Sequence, residues 1–130
     1  MADVLIVDDN PDNLDLLAII LTTAGHIVRK AEDGKRALEV LSDRFPDLVL
    51  LDVEMPVLTG PETADELFLR NCGAENIPVV LVSGVVGLPE IATTVGTPYF
   101  LPKPFSAQAV LQMVDRALRE RIAPRPRRAA

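Results

Sequence analysis

The sequence has one cysteine, one histidine and no long hydrophobic run among its 130 residues. With Cys72 alone no internal disulfide can form, and its place in 64-ADELFLRNC-72 suits the apolar side of a helix, as a small buried thiol. His26 stands singly between Gly25 and a short apolar run and reads as a loop histidine, not a metal ligand. No window approaches the roughly 18 to 20 uninterrupted apolar residues that a membrane span needs. The N-terminus, MADVLIVDDN, sets aspartates where a secretory signal would carry basic residues and a cleavable apolar core. There is also no G-x-G-x-x-G after the first apolar run and no Walker lysine, which argues against the nucleotide-binding folds. A soluble, cytoplasmic protein with no membrane partner is expected.

Charge is unevenly spread. The formal net charge is −6, yet Arg116, Arg119, Arg121, Arg125, Arg127 and Arg128 all fall in the last fifteen positions. Upstream of them seven bases face eighteen acids, a net of −11. So acidic a body argues against nucleic acid as the main partner. The segment 124-PRPRRAA-130 is short and proline-rich and reads as a frayed end or the start of a linker. The length is that of one domain, able to remove roughly two-thirds of its unfolded surface from water. The expected organisation is a domain over 2–122 and a flexible basic tail over 123–130.

Five short apolar runs recur, 4-VLIV-7, 27-IVR-29, 48-LVLL-51, 79-VVLV-82 and 99-YFL-101. Continuous runs of this length suit strands covered on both faces, as in parallel sheets. Between them lie segments of helical period. Leu14, Leu17, Ala18 and Leu21 follow Asn10, a candidate cap, and Pro11, suited to the first helical position, and Gly25 stops them. Ala37, Leu38, Val40 and Leu41 give a second helix, and Ala64, Leu67, Phe68, Asn71 and Cys72 a third. A fourth, within 86-VGLPEIATTVG-96, should be short; the fifth carries Val110, Met113, Val114, Ala117 and Leu118 on one stripe, with Ser106 as cap. Five strand-helix alternations predict right-handed crossovers and a doubly wound parallel α/β sheet with helices on both faces.

In such sheets ligands collect outside the carboxyl ends of the strands. Asp8 and Asp9 follow the first strand, Asp52 the third, Ser83 the fourth, and Lys103 comes shortly after the fifth. Three converging carboxylates repel by several kcal/mol per pair at an effective dielectric of about 20, and so call for a cation. An all-oxygen ligand set without His or Cys selects a hard ion such as Mg²⁺ over zinc. A lysine and a hydroxyl beside a metal-bound carboxylate can neutralise and hydrogen-bond a phosphoryl group. Each residue alone would be ordinary surface chemistry; their joint placement at four strand ends points to phosphoryl transfer.

The set 4-VLIVDDN-10, 46-PDLVLLDVEMPVLTG-60, 79-VVLVSG-84 and 100-FLPKPF-105 resembles the receiver domain of bacterial two-component response regulators, over residues 2 to 122. The resemblance implies a flavodoxin-like, five-stranded parallel sheet of order 2-1-3-4-5 with five helices. It implies that Asp52 accepts a phosphoryl group from a histidine kinase or phosphotransfer protein, that Asp8, Asp9, Asp52 and the carbonyl of Glu54 hold Mg²⁺, and that Lys103 contacts the phosphoryl oxygens. It further implies that Ser83 and Phe100 are switch residues and that the Lys103–Pro104 bond is cis. In this family Glu54 and Val85 stand where the dephosphorylation rate is varied. The fourth-helix region, ending 94-TVGTPYF-100, departs from the family's alanine-rich helix end and Gly-Ala turn. The expected protein is a signalling module without an output domain in this chain, not an enzyme beyond promoting its own phosphorylation and dephosphorylation. It would act by protein contacts or phosphorelay, as a monomer or weak homodimer, with Leu111 and Ile122 partly exposed. Two alternatives are a non-phosphorylated scaffold of the same shape and a haloacid-dehalogenase-like phosphatase. The second would want an aspartate where Glu54 stands, and a cap domain.

Overall fold

The alternating pattern is realised as five strands and five helices in a computed structural model that describes residues 1–52, 64–84 and 87–125. The strands are β1 (Asp3–Val7), β2 (Ile27–Ala31), β3 (Leu48–Asp52), β4 (Val79–Ser83) and β5 (Phe100–Pro102). Between and after them come α1 (Pro11–Thr23), α2 (Gly34–Asp43), α3 (Ala64–Ala74), α4 (Leu88–Val95) and α5 (Ala107–Glu120). All strand pairs are parallel and the order is β2-β1-β3-β4-β5, so the chain reverses its direction of growth between β1 and β3. The fold is the doubly wound, flavodoxin-like sheet that the sequence predicts.

Strand alternation sorts each apolar run between two helical layers. Leu5, Val7, Val49, Leu51, Val79 and Leu81 face α2, α3 and α4 through Ala37, Leu41, Phe68, Cys72, Ala92 and Val95. Their neighbours Val4, Ile6, Leu48, Leu50, Val80 and Val82 face α1 and α5 through Leu14, Leu17, Leu21, Val110, Val114 and Ala117. Both faces of the central strands are therefore buried, which is why the runs are uninterrupted. Phe68 is fully buried, and its truncation to alanine should cost about 3–5 kcal/mol.

Local chemistry sets the helix ends. The Asn10 side chain accepts from the N–H groups of Asp12 and Asn13 and Pro11 fills the first helical position; Asp33 and Ser106 cap α2 and α5 in the same way. Gly25, at φ +93°, takes the left-handed turn beyond α1. His26 sits in that loop, its Nδ1 accepting the Ala2 N–H at 3.1 Å.

The third helix is rotated from its expected stripe: Leu67 is 41% exposed, and Leu69, which the stripe omits, is fully buried beside Phe68 and Cys72. A leucine flanking each side of Phe68 made the face ambiguous in a short segment. The fifth strand lies one residue later than its apolar run, because Tyr99 precedes the ladder that pairs Leu81 with Phe100. Ala123 to Arg125, read as the start of the tail, pack against the domain, and Pro124 is buried. Residues 126–130, the rest of that basic tail, lie outside the described residues. Among the described residues no helix is long and apolar enough to cross a membrane.

Candidate functional site

The ends of β1 and β3 are neighbours in the sheet, with Val7 in register with Leu51, so Asp8 and Asp52 must meet at the rim. One carboxylate oxygen from each of Asp8, Asp9 and Asp52 falls within 4.8 Å of the others. Their settings differ. Asp8 is buried, 2% exposed, with Oδ1 accepting the Asn10 N–H at 2.9 Å; Asp9 is exposed. The Asp52 side chain is also 2% exposed, and its Oδ2 accepts from Lys103 Nζ at 3.1 Å.

The other two oxygens, Asp8 Oδ2 and Asp52 Oδ1, are buried without a hydrogen-bond partner among the described residues. A buried carboxylate oxygen left unpaired carries its full desolvation cost, so such orphans call for an explanation. At 4.8 Å and an effective dielectric of about 20, two carboxylates repel by roughly 3 kcal/mol. Burial, followed by the neighbouring Asp8 carboxyl, raises the pKa of Asp52 from an ordinary 3.8 to about 7, while the Lys103 ammonium pulls it down. A hard divalent cation would remove all three anomalies by accepting the orphaned oxygens, cancelling the repulsion and returning Asp52 to the anion. The residues present therefore fit Mg²⁺.

Ser83, the last residue of β4, is fully buried, and its carbonyl accepts the Lys103 N–H at 2.9 Å, which ties β4 to the loop carrying the lysine. The Lys103–Pro104 peptide is cis, as expected. Phe100 pairs with Leu81 and packs half-buried against the α2/α3/α4 cluster, which also contains Val79 and Leu81. Strand alternation puts Ser83 on that same side of the sheet. The structure thus brings together Asp8, Asp9, Asp52 and Lys103, and sets Ser83 on the next strand, β4, and Phe100 on β5, two strands from Asp52. Glu54 and Val85 lie outside the described residues.

Two features here are absent from the sequence reading. The adjacent Asp8 and Asp9 look equivalent as letters, whereas one is buried and the other exposed; strand alternation past Val7 is the signal that could have separated them. Tyr99, fully buried against the α1/α5 layer, accepts the Ile122 N–H at 3.3 Å and carries the Arg116 guanidinium 5.3 Å from its ring centroid.

Residues 4–115 match the response regulator receiver domain family. The chain is 35% identical over 119 residues to Protein Rrf1 of Nitratidesulfovibrio vulgaris, covering 90% of this chain and 83% of that protein. It is 34% identical over 120 residues to the nitrogen assimilation regulatory protein NtrX of Azorhizobium caulinodans, covering 89% of this chain but only 26% of that protein. Among solved structures, the receiver domain of NtrX from Brucella abortus superposes with a TM-score of 0.75 at 37% identity, covering 90% of this chain and 98% of that one. The chemotaxis response regulator CheY4 of Vibrio cholerae gives 0.73 at 29% identity, covering 89% and 98%. The chain belongs to the response regulator receiver domain family of two-component systems, a family of phosphorylation-based signalling domains.

Proposed function

We propose that Asp52 is the phosphoacceptor of this receiver and that its donor is the phosphohistidine of a histidine kinase or phosphotransfer protein. The observation that carries the reading is the pair of orphaned oxygens on Asp8 and Asp52, on carboxylates that approach within 4.8 Å of each other beside the Lys103 ammonium. Only a site that is completed by a cation and a phosphoryl group gives such an arrangement a use. Asp8 and Asp9 join Asp52 as ligands for Mg²⁺, and the Glu54 carbonyl belongs to the same set by family resemblance. When bound, the ion supplies charge neutralisation for the incoming phosphoryl oxygens.

The chain's own residues do the rest. An Asp52 carboxylate oxygen attacks phosphorus; the O–P bond forms as the P–N bond of the phosphohistidine breaks, and the imidazole leaves with the electron pair and takes a proton from water. Lys103 Nζ, already on Asp52 Oδ2, neutralises the equatorial oxygens of the transferring group. The Ser83 hydroxyl is the remaining donor, and its movement toward the phosphoryl group vacates space on the face where Phe100 packs. Ser83 and Phe100 are thus the switch pair, and the signal leaves by protein contacts or by onward phosphorelay.

Intact-protein mass after incubation with Mg²⁺ and acetyl phosphate, beside Asp52→Asn and a chelated control, tests this directly. The wild type alone should gain one phosphoryl group. If neither acetyl phosphate nor a phosphohistidine donor adds mass, the phosphoacceptor assignment is wrong and the protein is a receiver-shaped binding module.

A further inference from the structure

The packed chain continues beyond α5. Arg121 takes the left-handed conformation, φ +54°, and turns the backbone out of the helix. The next residues leave the α1/α5 layer and reach the opposite one. The Ile122 N–H donates to the Tyr99 hydroxyl, Pro124 is buried, and the Arg125 N–H donates to the Gly96 carbonyl at 3.1 Å.

Two glycines make room for this segment. A Cβ at Gly73, in the last turn of α3, would lie 2.7 Å from the Pro124 carbonyl oxygen. One at Gly96, the left-handed C-cap of α4, would meet the backbone of Arg125, whose nitrogen would be 2.7 Å away. Glycine inside a helix costs about 1 kcal/mol relative to alanine, so Gly73 has a local cost that its contact with Pro124 explains. Gly96 and Tyr99 stand on either side of the turn that joins α4 to β5. The segment therefore grips both elements at the edge of the sheet opposite the aspartates.

We propose that Arg121–Arg125 is a strap that holds α4 and β5 in the arrangement seen in this structure, and that filling the phosphoryl site loosens it. The proposal rests on the phosphoacceptor reading of Asp52. β5 has three residues, so the rim and the strap are separated by one short strand. At its upper end Lys103 binds the Asp52 carboxylate and the Ser83 carbonyl; at its lower end Tyr99 binds Ile122. A phosphoryl group that draws Lys103 and Ser83 toward itself shifts β5 along its length and moves Tyr99 relative to the strap. The coupling is reciprocal: whatever loosens the strap must favour the filled site by the same factor.

The test follows the two strap amides. Hydrogen exchange at the Ile122 and Arg125 N–H groups is measured with and without Mg²⁺ and beryllofluoride, a stable stand-in for the phosphoryl group. The affinity for beryllofluoride in Mg²⁺ is titrated, and the mass gained from acetyl phosphate is recorded, for the wild type, Gly73→Ala and Tyr99→Phe. Gly73→Ala crowds Pro124 while improving α3; Tyr99→Phe deletes one acceptor and keeps the ring, so the second variant stands if the first misfolds. Both amides should be protected and should exchange about tenfold faster with beryllofluoride, and both variants should bind beryllofluoride several-fold more tightly than the wild type. Unchanged exchange, or wild-type beryllofluoride affinity in the variants while Asp52 still gains mass, overturns the strap and leaves the phosphoacceptor reading standing. If none of the three proteins gains mass from acetyl phosphate or from a phosphohistidine donor, both readings fall.

Discussion

At the start of β1, Asp3 holds two guanidiniums: Arg29 Nε lies 3.1 Å from Oδ1 and Arg44 Nε 2.9 Å from Oδ2. At the end of β3, Asp52 has the Lys103 ammonium on Oδ2 and, among the described residues, nothing on Oδ1. The residue type is the same and both side chains are largely buried, 15% and 2% exposed, but the edges of the sheet differ in what they ask of it. At the lower edge the carboxylate is satisfied and belongs to the fold. At the upper edge it stays in deficit, beside a second buried carboxylate in the same condition. An aspartate whose surroundings neutralise it incompletely keeps affinity for something that is not part of the chain.

The largest expected difference between the two edges is in the response to metal. In the wild type, Mg²⁺ at about a hundred times its dissociation constant should stabilise the fold by roughly 2.7 kcal/mol, raising Tm by several degrees. Asp52→Asn should lose most of that rise while keeping the native circular dichroism spectrum, and Asp3→Ala should keep it. A metal response that survives Asp52→Asn and vanishes in Asp3→Ala would reverse the comparison.

Next in size is the loss of folding stability on breaking the lower pair. Asp3→Ala leaves Arg29, with a side chain only 18% exposed, and Arg44 without their carboxylate, and Arg29 keeps the Val40 carbonyl as an acceptor. Urea denaturation should show a loss of about 2–3 kcal/mol, below the range for fully buried pairs because Arg44 is largely exposed. In chelator, Asp52→Asn should instead be neutral or stabilising by about 1 kcal/mol, since it deletes a repelling charge and an unpaired oxygen. Equal losses at both sites would show that Asp52 is a structural ion pair.

The same contrast has a pH signature. Asp52 titrates near 7 in the fold and near 3.8 when unfolded, so between those values the folded protein binds the additional proton. Stability from this group is then complete below about pH 4 and is lost as pH rises through 7. In chelator, the wild type should become less stable from pH 5 to 8 relative to Asp52→Asn, in which this contribution is missing. Parallel stability profiles for the two proteins would remove the raised pKa from the account.

The sequence discloses the sheet because its strands are buried on both faces, and runs such as 79-VVLV-82 have few other uses in a chain this size. It discloses the site's constituents for a related reason, since a polar residue directly after such a run can only stand at the rim. What it hides is asymmetry. The letters 8-DD-9 alone do not say that one aspartate is buried and orphaned while the other is exposed; only their phase relative to Val7 separates them, and the orphaned oxygen depends besides on where α1 begins and what Asn10 binds. The strap is hidden more deeply. Pro124 and Arg125 belong by composition to a loose basic tail, and only the absence of side chains at Gly73 and Gly96, far away in the chain, creates the surface that receives them.

The smallest expected effect cuts across the comparison, because one residue at the rim serves the fold. Asn10 follows the aspartate pair directly, yet its side chain is occupied in capping α1, accepting from Asp12 N–H at 2.9 Å and Asn13 N–H at 3.4 Å. Its own N–H donates to Asp8 Oδ1, and a substitution at the side chain leaves that backbone donor in place. Asn10→Ala should therefore cost about 1 kcal/mol in urea denaturation, the ordinary value of a lost cap, while the Mg²⁺-induced rise in Tm stays within error of the wild type. Were the metal response to fall along with stability, the cap would be setting the position of Asp8, and the two functions of the rim could no longer be assigned to separate side chains.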